Sequence, residues 1–199
     1  MRVTLAEQAL AVAARDLRIE LRARHALGVV LPFAGTLLIA FGLSLGPGRT
    51  LLEETAPGLL WLAVMFASVL AFRGSYEAET EDAGLEALLL SPVDRGALFL
   101  GKAAAIVVQL LVLELAIVAL VIILFGITLG RDLPSLVAAF ALGTVGLSAV
   151  GNIFGVLTAS ARAREAVFPL LTLPVDIQTL IAGVQAVALA QAGRSAEAG

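Results

Sequence analysis

Five long apolar runs, almost free of charge, constrain this chain more than any other feature of its 199 residues. A helix needs about 20 mostly apolar residues to cross the hydrocarbon core of a bilayer. Residues 26–45, 56–72 and 133–161 carry no charge, and residues 103–130 carry only Glu114. Residues 166–190 are apolar apart from Asp176, Gln178 and Gln185. Backbone groups in lipid must pair within their own segment, so each run is expected to be a helix and not an open strand. The fold class that follows is all-α, a polytopic transmembrane helix bundle. Composition agrees: the chain is 60% apolar and 15% charged, with a mean hydropathy of +1.01, outside the range of a water-soluble domain. The first apolar run lies behind a charged segment and is long enough to span, which reads as a span and not a cleaved signal peptide.

Orientation follows from lysine and arginine. With the N-terminus in the cytoplasm, three of the 13 basic residues fall outside (Arg49, Arg131 and Arg194) and the remaining ten inside. That bias assigns residues 73–102 and 159–165 to the cytoplasm and, with five spans, the C-terminus to the outside. Residues 1–25 read as a cytoplasmic amphipathic helix at the membrane surface, followed by a transmembrane domain over 26–199. Thr4 and Glu7 have capping-box spacing. Leu10, Leu17 and Leu21 can share one face and Arg15, Arg18 and Arg22 another; Glu20 and Arg24 are a favourable i,i+4 pair. The plainer alternative is a basic flank that only sets topology.

The segment 73–102 is the informative polar part. It begins acidic, with Glu77, Glu79, Glu81 and Asp82, and continues Gly84-Leu85-Glu86-Ala87-Leu88-Leu89-Leu90-Ser91-Pro92. Leu85, Leu88 and Leu89 sit at i, i+3 and i+4, so a short helix here would present one apolar face, to be covered by a partner or by headgroups. Ser91, Pro92 and Asp94 read as N-cap, N1 and N3 of the helix entering the third span.

Four other features carry competing readings. Gly96 to Ala103 comes close to a P-loop, but Ala103 has no hydroxyl for Mg²⁺, no strand precedes it and its interior is bulky; Lys102 is better read as a headgroup anchor. Glu114, deep in the third span, is either a pathway carboxylate or a protonated glutamate bonded to a neighbouring helix. Asn152, between Gly151 and Gly155, is expected at a close helix–helix contact, in this chain or with a second copy. Asp176, with Pro169 and Pro174 nearby, suggests a broken helix lining a polar cavity, a packed helix with internal hydrogen bonds, or a local peculiarity. Glu114, Asn152 and Asp176 are thus the translocation-pathway candidates. The single His25 lies in the basic flank, and there is no cysteine. No metal site, catalytic constellation or nucleic-acid partner is expected.

The basic N-terminal helix, two spans, an acidic loop with Gly84-Leu85-Glu86-x-Leu88-Leu89-Leu90-Ser91-Pro92 and then Gly101-Lys102 resemble permeases of the ABC-2 exporter type. With Ala56-Pro57-Gly58-Leu59-Leu60-Trp61 and the stretch from Arg162 to Pro174, the chain looks more narrowly like the haem exporter protein B family. That resemblance implies a permease subunit of the cytochrome c maturation transporter in the inner membrane. A separate cytoplasmic ATPase would bind the ATP, so no cofactor is expected in this chain, with haem as candidate cargo. Glu77, Glu79, Gly84, Leu85, Glu86, Leu88, Leu89, Ser91 and Pro92 would form the element that docks on the ATPase. Other maturation membrane subunits, a haem chaperone and a second permease copy would be further partners. The family usually has six spans where five are seen here, and its pattern around Asp176 is usually more apolar.

Overall fold

The computed structural model describes residues 4–24, 26–81, 94–126, 133–158 and 164–192. The described residues form α1 (Leu5–Ala23), α2 (Leu31–Leu45), α3 (Arg49–Glu81), α4 (Arg95–Phe125), α5 (Leu133–Thr158) and α6 (Arg164–Ala192), with one wide π-turn at Ala26–Val30 leading into α2. Five of these helices are long and apolar enough to cross a membrane.

α3, α4 and α6 each begin at an arginine that precedes the apolar run they contain. α3 starts at Arg49, whose Nε donates to Glu53 Oε1 at 2.9 Å one turn on. α4 starts eight residues before Ala103. Its N-cap is Asp94, not Ser91: the Asp94 carboxylate accepts from Gly96 N at 2.7 Å. An ionised acceptor at a helix N-terminus also opposes the positive end of the helix dipole, which favours aspartate for this position. α4 ends at Gly126, whose φ of 62° lets its N–H reach back to Ile122 O at 2.9 Å.

Side-chain contacts set the register. Glu114 meets Thr144 and Ala103 meets Ser148, so α4 and α5 run antiparallel. A Cβ on Gly143 or Gly183 would collide with the Trp61 ring, and one on Gly151 with the Phe72 ring; Phe72 also packs on Phe168, with ring centroids 6.0 Å apart. α3 is therefore parallel to α5 and antiparallel to α6. Trp61 stacks on Phe140 at 5.6 Å and 17° and fills the notch left by the two glycines. α3 is the central helix: its membrane-length segment is 67% buried, against 17% for α2. Val30 at the end of the π-turn, Ala34 and Leu38 of α2 and Leu110, Leu113 and Ile117 of α4 belong to the same core. Outward positions such as Leu115, Ile123, Leu142 and Leu170 are largely exposed, as lipid-facing side chains are and as a water-soluble surface is not.

Pro169 and Pro174 do not break the last span. α6 is continuous from Arg164 to Ala192 through both, which corrects the broken-helix expectation. Each proline removes one backbone donor, but packing and nearby hydroxyls keep a membrane helix intact. Here Thr172 Oγ1 donates to Phe168 O at 3.0 Å, in the turn between the two prolines.

Candidate functional site

The alternating helix directions gather α1, the end of α3, the start of α4, the end of α5 and the start of α6 at one end of the bundle. Glu77 and Glu79 lie in the last turns of α3. Gly84, Leu85, Glu86, Leu88, Leu89, Ser91 and Pro92 fall outside the described residues, as does His25. The end of α3 and the start of α4, which flank residues 82–93, therefore stand at this end, and α1 packs on α4.

α1 is built as its sequence suggests. Glu7 N donates to Thr4 Oγ1 at 3.3 Å and Thr4 N donates to Glu7 Oε2 at 2.8 Å, a complete capping box. These bonds to Thr4 hold the Glu7 carboxyl below its ordinary value. Arg24 closes the helix in the left-handed region, φ 52°, with its N–H on Glu20 O at 2.9 Å. Leu10 and Leu21 are 68% and 76% exposed and Leu17 is half-buried. The face that does pack is a different one. Val12 and Ala13 are buried where α1 lies on α4. A Cβ on Gly101 would stand 2.5 Å from Ala9 O and 2.7 Å from Val12 Cβ, so the two backbones approach closely only because residue 101 is glycine. Asp94 N donates to Gln8 Oε1 at 3.1 Å across the same contact. Sequence reading missed this seat, treating Gly101 as part of a failed P-loop and of the family resemblance and not as a packing position. Gly96 to Lys102 lies within the helix, so there is no phosphate-cradling loop. The Lys102 ammonium nitrogen is buried, which corrects its reading as a headgroup anchor.

Inside the bundle a polar seam runs between α4 and α5. Thr144, Ser148 and Asn152 recur every fourth residue along α5 and all are buried. Thr144 Oγ1 lies 2.7 Å from Glu114 Oε2 and 2.8 Å from Phe140 O; Ser148 Oγ donates to Ala103 O at 3.4 Å. Interhelical hydrogen bonds of this kind are worth about 0.6 kcal/mol on average in a membrane and up to about 1.7. Glu114 is thus brought to a helix partner that sequence reading did not name, although the spacing of Thr144, Ser148 and Asn152 in a charge-free span was a usable signal. Gly151, expected at a close contact, meets Phe72 of this same chain. Asp176 is buried on α6 with Oδ1 lacking a hydrogen-bond partner among the described residues. In the α3–α6 register it lies between the Trp61–Gly183 and Phe72–Phe168 contacts, at the level of Met65 and Ser68. Glu114 lies on α4 and Asp176 on α6, helices that both pack on α3 and α5. No cluster of metal-ligating side chains occurs among the described residues.

A bundle of five apolar membrane-length helices with a buried polar seam, and an amphipathic helix packed on it, defines a multi-pass membrane protein. Residues 7–199 match the family model described as CcmB protein, and the chain belongs to that family. It is 34% identical over 173 residues to heme exporter protein B of Pseudomonas aeruginosa, covering 85% of this chain and 76% of that one. The same protein of Paracoccus denitrificans is 32% identical over 183 residues, covering 90% and 82%. That of Rhodobacter capsulatus is 31% identical over 180 residues, covering 89% and 81%.

Proposed function

We propose that this chain is the membrane-spanning permease subunit of an ATP-driven exporter that serves haem delivery to c-type cytochromes, with ATP bound and hydrolysed by a separate cytoplasmic subunit and no enzyme site of its own. The observation that carries this reading is the family match over residues 7–199, with relatives named heme exporter protein B. The ten-to-three bias of basic residues supports an N-terminus in the cytoplasm and an inner-membrane location. On that orientation α1 is a surface helix with its leucines in the acyl region. The acidic end of α3 and residues 84–92 then face the cytoplasm as the ATPase-docking element. Haem is cargo in this reading and not a resident group; partner membrane subunits, a haem chaperone and a second permease copy complete the assembly. Asn152 and Asp176, both buried in the bundle, stay as pathway candidates in this reading.

The deciding experiment is co-purification in detergent with the ATPase subunit of a cytochrome c maturation complex. Replacing Leu85, Leu88 and Leu89 with aspartate should abolish capture while leaving membrane insertion intact. Unchanged capture would overturn the docking role. Failure of the unaltered, inserted chain to bind would favour a non-transporting scaffold, and binding only to an ATPase of another export system would favour a different cargo.

A further inference from the structure

Thr144 has one hydroxyl proton and two close acceptors. Phe140 O lies 2.8 Å and Glu114 Oε2 2.7 Å from its oxygen. One hydrogen cannot satisfy both contacts at these lengths. Two arrangements remain. If Glu114 is a carboxylate, Thr144 donates to either Glu114 or Phe140 O and the other short contact is left without a hydrogen. If Glu114 carries a proton, it donates to Thr144 Oγ1, Thr144 donates to Phe140 O, and every short contact holds one hydrogen. Two further observations separate them. Glu114 is buried at mid-span, where an unpaired charge is expelled or neutralised. Its hydrogen-bond partner among the described residues is Thr144, and its other oxygen, Oε1, has none. A carboxylate would leave a formal charge facing one shared hydroxyl.

We infer that Glu114 is a neutral carboxylic acid that donates its proton to Thr144, clasping α4 to α5, and that it acts as a positioning residue of the permease and not as a charge on the transport path. The chain Glu114–Thr144–Phe140 carbonyl then ties α4 into the backbone ladder of α5. The same two helices touch again at Ser148 and Ala103 nearer the cytoplasmic end, so the clasp sets their relative rotation as well as their distance. The proton state stands on geometry alone; the transport consequence rests on the permease reading above.

Two measurements test it. Infrared difference spectra of the purified full chain against E114Q at neutral pH should show the carbonyl stretch of a protonated carboxyl, lost in the variant. A difference made of carboxylate bands alone would overturn the proposal, whatever the chain transports. The second measurement is covalent haem attachment to a reporter c-type cytochrome in cells relying on this chain, at matched levels of inserted protein. E114Q keeps a hydrogen-bonding amide and should support attachment at the unaltered level. E114L and T144V should each reduce it by about three-fold, the equilibrium worth of an average interhelical bond in a membrane, with the double variant no worse than either single one. E114Q failing as badly as E114L would show that residue 114 must ionise, and would overturn the proposal. Failure of the unaltered chain to support attachment would instead strike the haem reading and leave the infrared result standing.

Discussion

At the scale of single residues, small side chains decide where large ones go. Trp61 occupies the notch formed by Gly143 and Gly183. Gly143→Ala forces a methyl into the indole, and overpacking of this kind destabilises by about 1–3 kcal/mol. The melting temperature in detergent should fall, and Trp61→Phe in the same chain should recover part of the loss. Purely additive losses would mean that the two residues do not share a contact. Glu7 supplies a second test. Its carboxyl is held below the ordinary glutamate value of 4.5 by bonds to Thr4. A depressed folded value contributes stability that is present above pH 4.5 and lost as pH falls through the folded value. Amide exchange in the first turn of α1 should therefore accelerate only on acidification below pH 4.5, and Thr4→Ala should remove that dependence. The capping box was legible because its two residues stand three apart in the sequence. The Trp61 notch was not, because residues 61, 143 and 183 are linked only by the packing of three helices. Asp94 shows a third case: Ser91-Pro92 carries the commoner signal for a helix start, yet the carboxylate that can reach Gly96 N sets the end.

At the scale of elements, α1 behaves as part of the bundle and not as a free surface helix. Its packing face sets Ala9 and Val12 against Gly101, with Ala13 also buried, leaving Leu10 and Leu21 outward. Gly101→Val would place carbon where Ala9 O and Val12 Cβ already stand. The expected result is faster tryptic cleavage at Arg15, Arg18 and Arg22 with the spans still inserted; cleavage at the unaltered rate would show that α1 is not seated there. Gln8→Ala removes the acceptor for Asp94 N, at about 1 kcal/mol, and should produce a weaker form of the same change. The leucine periodicity of α1 was readable as an outward face. Its seat was not, because a glycine and a valine in apolar surroundings carry no mark of which helix they will meet. α6 teaches the converse: two prolines carry a strong local signal for a break, and tertiary packing overrides it.

At the scale of the whole molecule, the approximate positions of the five membrane-length helices among the described residues were legible because about 20 apolar residues are needed for each crossing, whatever the neighbours do. The order of packing was not, since hydropathy does not distinguish the central α3 from the peripheral α2. The orientation is open to direct test. Cysteines introduced as Ala78→Cys and Leu51→Cys into this cysteine-free chain should label from opposite sides of the membrane, and labelling from one side would overturn the assignment. Gln8 and Asp94 stand 86 residues apart in the chain. At about 5–20 residues per second, the helix leaves the ribosome roughly 4–17 s before its docking partner exists. The capping box is complete within the first few residues and favours α1 before that partner exists, and on the proposed orientation its leucines and arginines would moor it to the membrane during that wait. The exposed face of α1 would then serve as a temporary berth in biogenesis before it is a surface of the finished protein, and mutations there should lower the yield of assembled chain more than its stability once assembled.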